Sequence, residues 1–162
     1  MIDEISTRTF DLLCDQARQS PRRRQHLNLH TDYADPCQRF LNAISCESYI
    51  RPHRHKLDPK VECLIALRGT LGVIVFDDSG AAIKTMRIGA DYLIGNVGVQ
   101  ILPEQWHTVV GLTDMAILLE IKDGPFDPYA AKEPAPWAPV EGAYEAADYL
   151  HVLHNHFQFA AN

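Results

Sequence analysis

The chain has 162 residues, of which 46% are hydrophobic, and a formal net charge of -6. That length is enough to bury one core, and length alone points to one domain. The negative charge excludes a general nucleic-acid binder. There is no run of 18 apolar residues and no charged-then-apolar leader at the N-terminus, so the expectation is a soluble cytoplasmic protein with no membrane partner.

Ile2, Ile5, Phe10, Leu13 and Ala17 recur at nearly helical intervals, which predicts an amphipathic helix over residues 3–19 that ends before Ser20-Pro21. Arg22-Arg23-Arg24 follows as a local positive cluster, read either as a solvated helix exit or as a gatherer of anionic substrate. Asn28 and His30 alternate on one extended face and are expected to cover the mouth of a pocket. From residue 38 to 122 the pattern becomes short β-rich runs at 39–50, 61–67, 71–76, 82–88, 92–94, 99–102, 107–112 and 115–122, with Asp77-Asp78-Ser79-Gly80 as a hairpin turn. About eight such strands favour a jelly roll or small barrel. The proline-rich stretch 124–139 reads as an irregular wrapping arm, and Tyr144, Ala147, Leu150, Leu153 and Phe157 mark a final helix. The organisation expected is therefore a helical extension at 1–37, a β-barrel at 38–122, and an arm plus C-terminal helix at 123–162. Apolar faces on the terminal helices make a homodimer reasonable.

Chemistry concentrates in His53-Arg54-His55, with Glu62 and Gly69 each six intervening residues further on, and in His107. Residues two apart on a strand share a face, so His53 and His55 project together while Arg54 turns away. Glu62 joins them from the next strand, His107 from a distant one, and Gly69 fits a turn that needs positive φ. Three imidazoles and a carboxylate suit one divalent transition metal (zinc, iron, manganese, nickel or copper) and leave its identity open. Cys14, Cys37, Cys46 and Cys63 have no CxxC spacing and are read as reduced thiols. His151, His154 and His156 are read as a solvated tail, since only the first two are neighbours on a helix.

Other candidates surround this cluster. Tyr49 and Arg51 precede His53 by four and two residues, so in an unbroken strand they share its face as substrate-binding groups. Arg51 suits a substrate carboxylate or phosphate, or equally a local acid. On 115–122, Leu118, Glu120 and Lys122 face one way and Ile117, Leu119 and Ile121 the other. Glu120 and Lys122 are candidate acid/base groups if that face lines a cavity, or a surface ion pair if it does not.

The order His53-x-His55, Glu62, Gly69, followed by Gly98-Val-Gln-Ile-Leu-Pro103-Glu-Gln-Trp-His107, resembles the two motifs of the cupin superfamily. The resemblance implies a double-stranded β-helix, or jelly-roll barrel, with these four residues on one metal. Two departures stand out. The gap from His55 to Glu62 is longer than usual, which implies an enlarged loop, and the second motif lacks its inner glycine and is one residue shorter between Pro103 and His107. A broader likeness runs through Arg22-Arg23-Arg24, Leu27-Asn28-Leu29-His30, Phe40-Leu41-Asn42-Ala43, Tyr49 to His55, Trp106 to Val110, Glu120 to Phe126 and Trp137-Ala138-Pro139. Over these segments the chain resembles the WbuC-type cupin-fold metalloproteins, often associated with O-antigen and other surface-polysaccharide gene clusters. What the resemblance implies is a metal-dependent protein acting on a small anionic carbohydrate intermediate, such as a sugar or nucleotide sugar, by isomerase or epimerase chemistry. The alternatives are a non-catalytic sugar- or effector-binding module and an iron-dependent dioxygenase.

Overall fold

A computed structural model describes residues 4–130 and 132–158 of the chain. Helix α1 (Thr7–Gln19) starts where Ser6 caps it, its hydroxyl accepting from the Thr9 amide at 3.3 Å, and ends at Ser20 before Pro21. The first part of the expected 3–19 span lies partly outside the described residues. Among the described residues ten strands follow: β1 (Arg24–Asn28), β2 (Cys37–Ser45), β3 (His53–Arg54), β4 (Glu62–Arg68), β5 (Thr70–Phe76), β6 (Ala82–Gly89), β7 (Gly98–Ile101), β8 (Trp106–Gly111), β9 (Met115–Asp123) and β10 (Glu133–Pro134). Helix α2 (Ala146–Asn155) comes last among the described elements, so Tyr144 falls before it and Phe157 after it. The strands form two antiparallel five-stranded sheets, ordered β1-β2-β9-β4-β7 and β10-β3-β8-β5-β6.

Alternation along each strand sorts side chains into three layers. Between the sheets lie Ile44, Leu64, Ala66, Leu71, Val73, Ile88, Val109, Ala116 and Leu118. On the outside of the first sheet, Leu13, Cys14 and Ala17 of α1 pack on Leu41, Ala43, Met115 and Ile117. Outside the second, Leu150, Leu153 and Phe157 cover Ile74, Phe76, Trp106 and Val110. The apolar stripes of both helices are thus spent on the chain's own barrel, leaving Leu12 and Val152 exposed.

Several expectations are corrected in detail. The run 39–50 ends as a strand at Ser45, because the chain turns at Cys46-Glu47. Residues 92–94 form one 3₁₀ turn instead of a strand. Strands β1 and β10 had no apolar alternation to announce them. Gly69 takes φ +67° in the β4–β5 turn, as its position required, and a Cβ there would lie 2.7 Å from the Met115 carbonyl oxygen. The hairpin at Asp77-Asp78-Ser79-Gly80 forms, with Asp77 Oδ1 accepting from the Ser79 and Ala81 amides. The four cysteines are free.

Candidate metal centre and cavity

The interior of the barrel changes character along its strands. On β9 the inward positions run Ala116, Leu118, Glu120, Lys122, so an apolar floor gives way to charge. On β2 they run from Ile44 to Asn42 and Phe40. The polar half is a cavity of about 660 Å³, within the range of small-molecule sites.

At its inner end His53, His55, Glu62 and His107 converge, with one ligand atom from each lying within 4.8 Å of the others. Their exposures are 7%, 5%, 3% and 2%. The register explains the meeting: His53 of β3 pairs directly with His107 of β8, while Glu62 enters from β4 in the facing sheet. The shortened second motif therefore delivers His107 in place. Its missing glycine leaves a mark, since Glu104 adopts φ +62° in the turn before β8. The long gap between His55 and Glu62 forms a loop in which Leu57 is exposed and Lys60 donates to the Pro125 carbonyl.

Whether a metal fits can be judged from the ring nitrogens. His53 Nδ1 lies 3.0 Å from the Arg51 carbonyl and His107 Nδ1 2.8 Å from that of Gln105. A carbonyl only accepts, so each Nδ1 carries the proton and each Nε2 keeps a lone pair toward the centre. There His107 Nε2 and His55 Nε2 stand 3.1 and 3.0 Å from Glu62 Oε2. Donors bonded to one ion at about 2.1 Å sit about 3–4 Å apart, so the donor set fits a divalent metal. Burial, together with the Lys132 charge, pushes the His53 imidazole well below its usual range, which keeps it neutral. Burial alone would raise the Glu62 carboxyl; the His107 and His55 imidazoles at its Oε2 and the nearby Lys122 charge hold it well below the usual carboxylate range.

Glu120 and Lys122 both face the cavity. Lys122 Nζ donates to Glu62 Oε1 at 3.2 Å, and Glu120 Oε1 accepts from Asn42 Nδ2 at 3.3 Å. Burial and the Glu62 charge raise the Glu120 carboxyl above its ordinary value. Arg51 also lines the cavity, its Nη2 donating to the Ala135 carbonyl at 2.6 Å, and it has no acidic partner among the described residues. Tyr49 does not line the cavity. Residues 46–52 are not an unbroken strand, so alternation fails: the ring packs outside the second sheet, its hydroxyl donating to Pro139 at 2.9 Å.

The arginine cluster divides. Arg24 reaches the cavity wall and pairs with Glu141 at 2.6 Å, Arg22 joins the same carboxylate at 3.2 Å, and Arg23 pairs with Glu47 at 3.3 Å. Asn28 and His30, expected over the pocket mouth, line the cavity. His154 hydrogen-bonds the Gly111 carbonyl, and no second metal-type cluster exists among the described residues. Lys132 is the residue that sequence reading missed. It lies on the arm and lines the cavity, where burial lowers its ammonium against the pull of Glu120 and Glu62.

Two antiparallel sheets closed into a barrel, with a His-His-Glu-His cluster between them, define a cupin fold carrying a metal-type donor set. The chain belongs to a family described as a domain of unknown function, DUF6016, whose model matches residues 5–88, just over half of the sequence. That match includes three of the four clustered residues; His107 lies beyond it. None of the curated proteins matches the chain. Among solved structures it is similar to a cupin 2 conserved barrel domain protein from Rhodopseudomonas palustris, at 16% identity and TM-score 0.51 over 68% of this chain. The match spans 66% of that protein, just under two thirds of its length. It is also similar to KdgF from Halomonas sp. (13% identity, TM-score 0.52, 68% of this chain and 86% of that one). A third likeness is to oxalate decarboxylase from Bacillus subtilis (14% identity, TM-score 0.52, 83% of this chain and 31% of that one). At these identities the likeness is one of fold. No helix among the described residues is long and apolar enough to cross a membrane.

Proposed function

We propose that this protein is a single-domain, metal-dependent cupin that acts on a small anionic molecule. The observation that carries the reading is the four-donor cluster at the inner end of a cavity whose wall holds Arg51, Lys122 and Glu120. A divalent ion held by His53, His55, Glu62 and His107 would act as a Lewis acid on a substrate oxygen. Arg51 is the anion-binding group: its Nη2 is tethered to Ala135, and the planar fork suits a carboxylate or phosphate. Glu120, whose carboxyl burial raises above its ordinary value, is suited to exchange a proton with substrate, while Lys122, fixed on Glu62, supplies positive charge beside it. A proton-holding group beside a site of this kind favours isomerase or epimerase chemistry. The likeness to WbuC-type proteins supplies the context of a sugar or nucleotide-sugar intermediate in surface-polysaccharide assembly in the cytoplasm.

The test begins with metal content of protein purified without added metal, compared with His53→Ala and Glu62→Ala. Equal content in all three defeats the reading. Turnover is then followed on a panel of nucleotide sugars with each divalent ion. Conversion without oxygen uptake supports isomerisation, oxygen uptake favours a dioxygenase, and binding without conversion favours a ligand-binding module.

A further inference from the structure

The proline-rich arm brings a charge to the cavity. Strand β10 adds to the second sheet beside the ligand strand, Glu133 opposite Arg54 and Pro134 opposite His53, and the Ala135 amide donates to the Pro52 carbonyl at 2.8 Å. A two-residue strand has little hold of its own, and here side chains reinforce it. Arg54 donates to both Glu133 carboxylate oxygens at 2.9 Å and lies 4.2 Å over the Trp106 ring. With Glu133 turned outward to Arg54, alternation turns Pro134 and Lys132 inward, and both line the cavity. Lys132 makes no ion pair among the described residues, and Arg51, the other unpaired cation of the wall, is tied to the same arm through the Ala135 carbonyl.

Cavity charge then runs against that of the whole chain. The net charge is -6, yet the cavity wall sets five basic side chains, Arg22, Arg24, Arg51, Lys122 and Lys132, against three carboxylates, Glu62, Glu120 and Glu141. A divalent ion adds to that excess. A monoanion would leave much of it unanswered, whereas two anionic charges on one small ligand would answer both the metal end and the arm.

We infer that Lys132 contacts the ligand and, with Arg51, selects a small dianion, such as a phosphate or a dicarboxylate, over a monoanion. This rests on the cavity being the binding site proposed above and not on any particular reaction. The experiment is calorimetric titration of inorganic phosphate, succinate and acetate into the intact protein, both metal-loaded and stripped with chelator, for wild type, Lys132→Met and Lys132→Arg. Wild type is expected to bind phosphate or succinate at least about tenfold more tightly than acetate. Lys132→Met loses about tenfold or more of that affinity, the scale of one charge-assisted hydrogen bond, with metal content unchanged, while Lys132→Arg keeps it within about threefold. Equal affinity in wild type and Lys132→Met, or no preference of wild type for the dianions, overturns the inference. If wild type holds no metal but Lys132→Met still loses the dianions, the metal reading fails and this one stands.

Discussion

Chelation should melt this protein earlier, and by an amount that can be worked out. The four donors come from both halves of the barrel: Glu62 from the first sheet, His53 and His107 from the second. An ion bound there ties the sheets together, so its loss should appear in the global unfolding transition and not as local fraying. At free metal about 100-fold above Kd, binding adds about 2.7 kcal/mol to the folded state. For a chain of this size each kcal/mol moves Tm by about 2–4 °C, giving an increment of about 5–11 °C between stripped and loaded protein. Glu62→Gln replaces the anionic ligand with a neutral amide and leaves Lys122 without its carboxylate partner at 3.2 Å. Its stripped form should therefore melt lower than stripped wild type, and its metal increment should shrink to about 2 °C or less. The assay is a thermal melt followed by circular dichroism, with zinc, manganese, iron(II) or nickel restored after chelation. Comparing increments within each protein removes the baseline difference. A wild-type increment of zero with every ion, or an undiminished one in Glu62→Gln, would refute the reasoning.

Other expectations follow from single positions. Gly69→Ala should cost more than about 2 kcal/mol in urea unfolding, because φ +67° disfavours any side chain and the added Cβ meets the Met115 carbonyl; a cost under about 0.5 kcal/mol would contradict this. Glu104→Gly should gain up to about 1 kcal/mol by relieving a positive φ, visible as a Tm rise of about 2–4 °C at most, and a loss would count against it. Burial tends to raise the Glu141 carboxyl, but the Arg24 hydrogen bond and charge keep it below the usual 4.5. Its stabilising contribution is therefore complete above that value and fades as pH falls through the lower folded-state pKa. Glu141→Gln should accordingly be less stable than wild type at about pH 7, with the gap narrowing toward about pH 3; a gap that widens in acid would reverse the sign of the argument.

The candidate metal cluster was legible in the sequence because strand alternation and ligand chemistry constrain the same few residues. His53 and His55 had to share a face, and Gly69 needed a conformation that few other residues tolerate. The barrel was legible where a strand is apolar, as in β5, which sets Leu71 and Val73 on one face and Ile74 and Phe76 on the other. Strand β1 was not, since its inward residues Arg24, His26 and Asn28 face a polar cavity and break the hydrophobic alternation that announces a strand. The same reasoning placed Tyr49 on the wrong side: counting back by twos from His53 assumes a continuous strand, and residues 48–52 are not strand. For Glu120 and Lys122 the pattern gave a shared face without saying which way it looked. That followed only once Ala116 and Leu118 were seen in the core directly below them. Lys132 had no local signal at all, because its place depends on a two-residue pairing with a strand nearly eighty positions earlier.

That late pairing has a consequence for how the protein is made. As the chain emerges from the ribosome, His53, His55 and Glu62 are available early, but His107 must wait for the second half, and β3 keeps an open flank until Glu133 and Pro134 return to it. The nascent polypeptide thus passes through a stage in which half-assembled ligands lie beside an unprotected strand. The four-residue set is complete only once His107 has joined the others, so any ion they hold would be taken up after that point in synthesis.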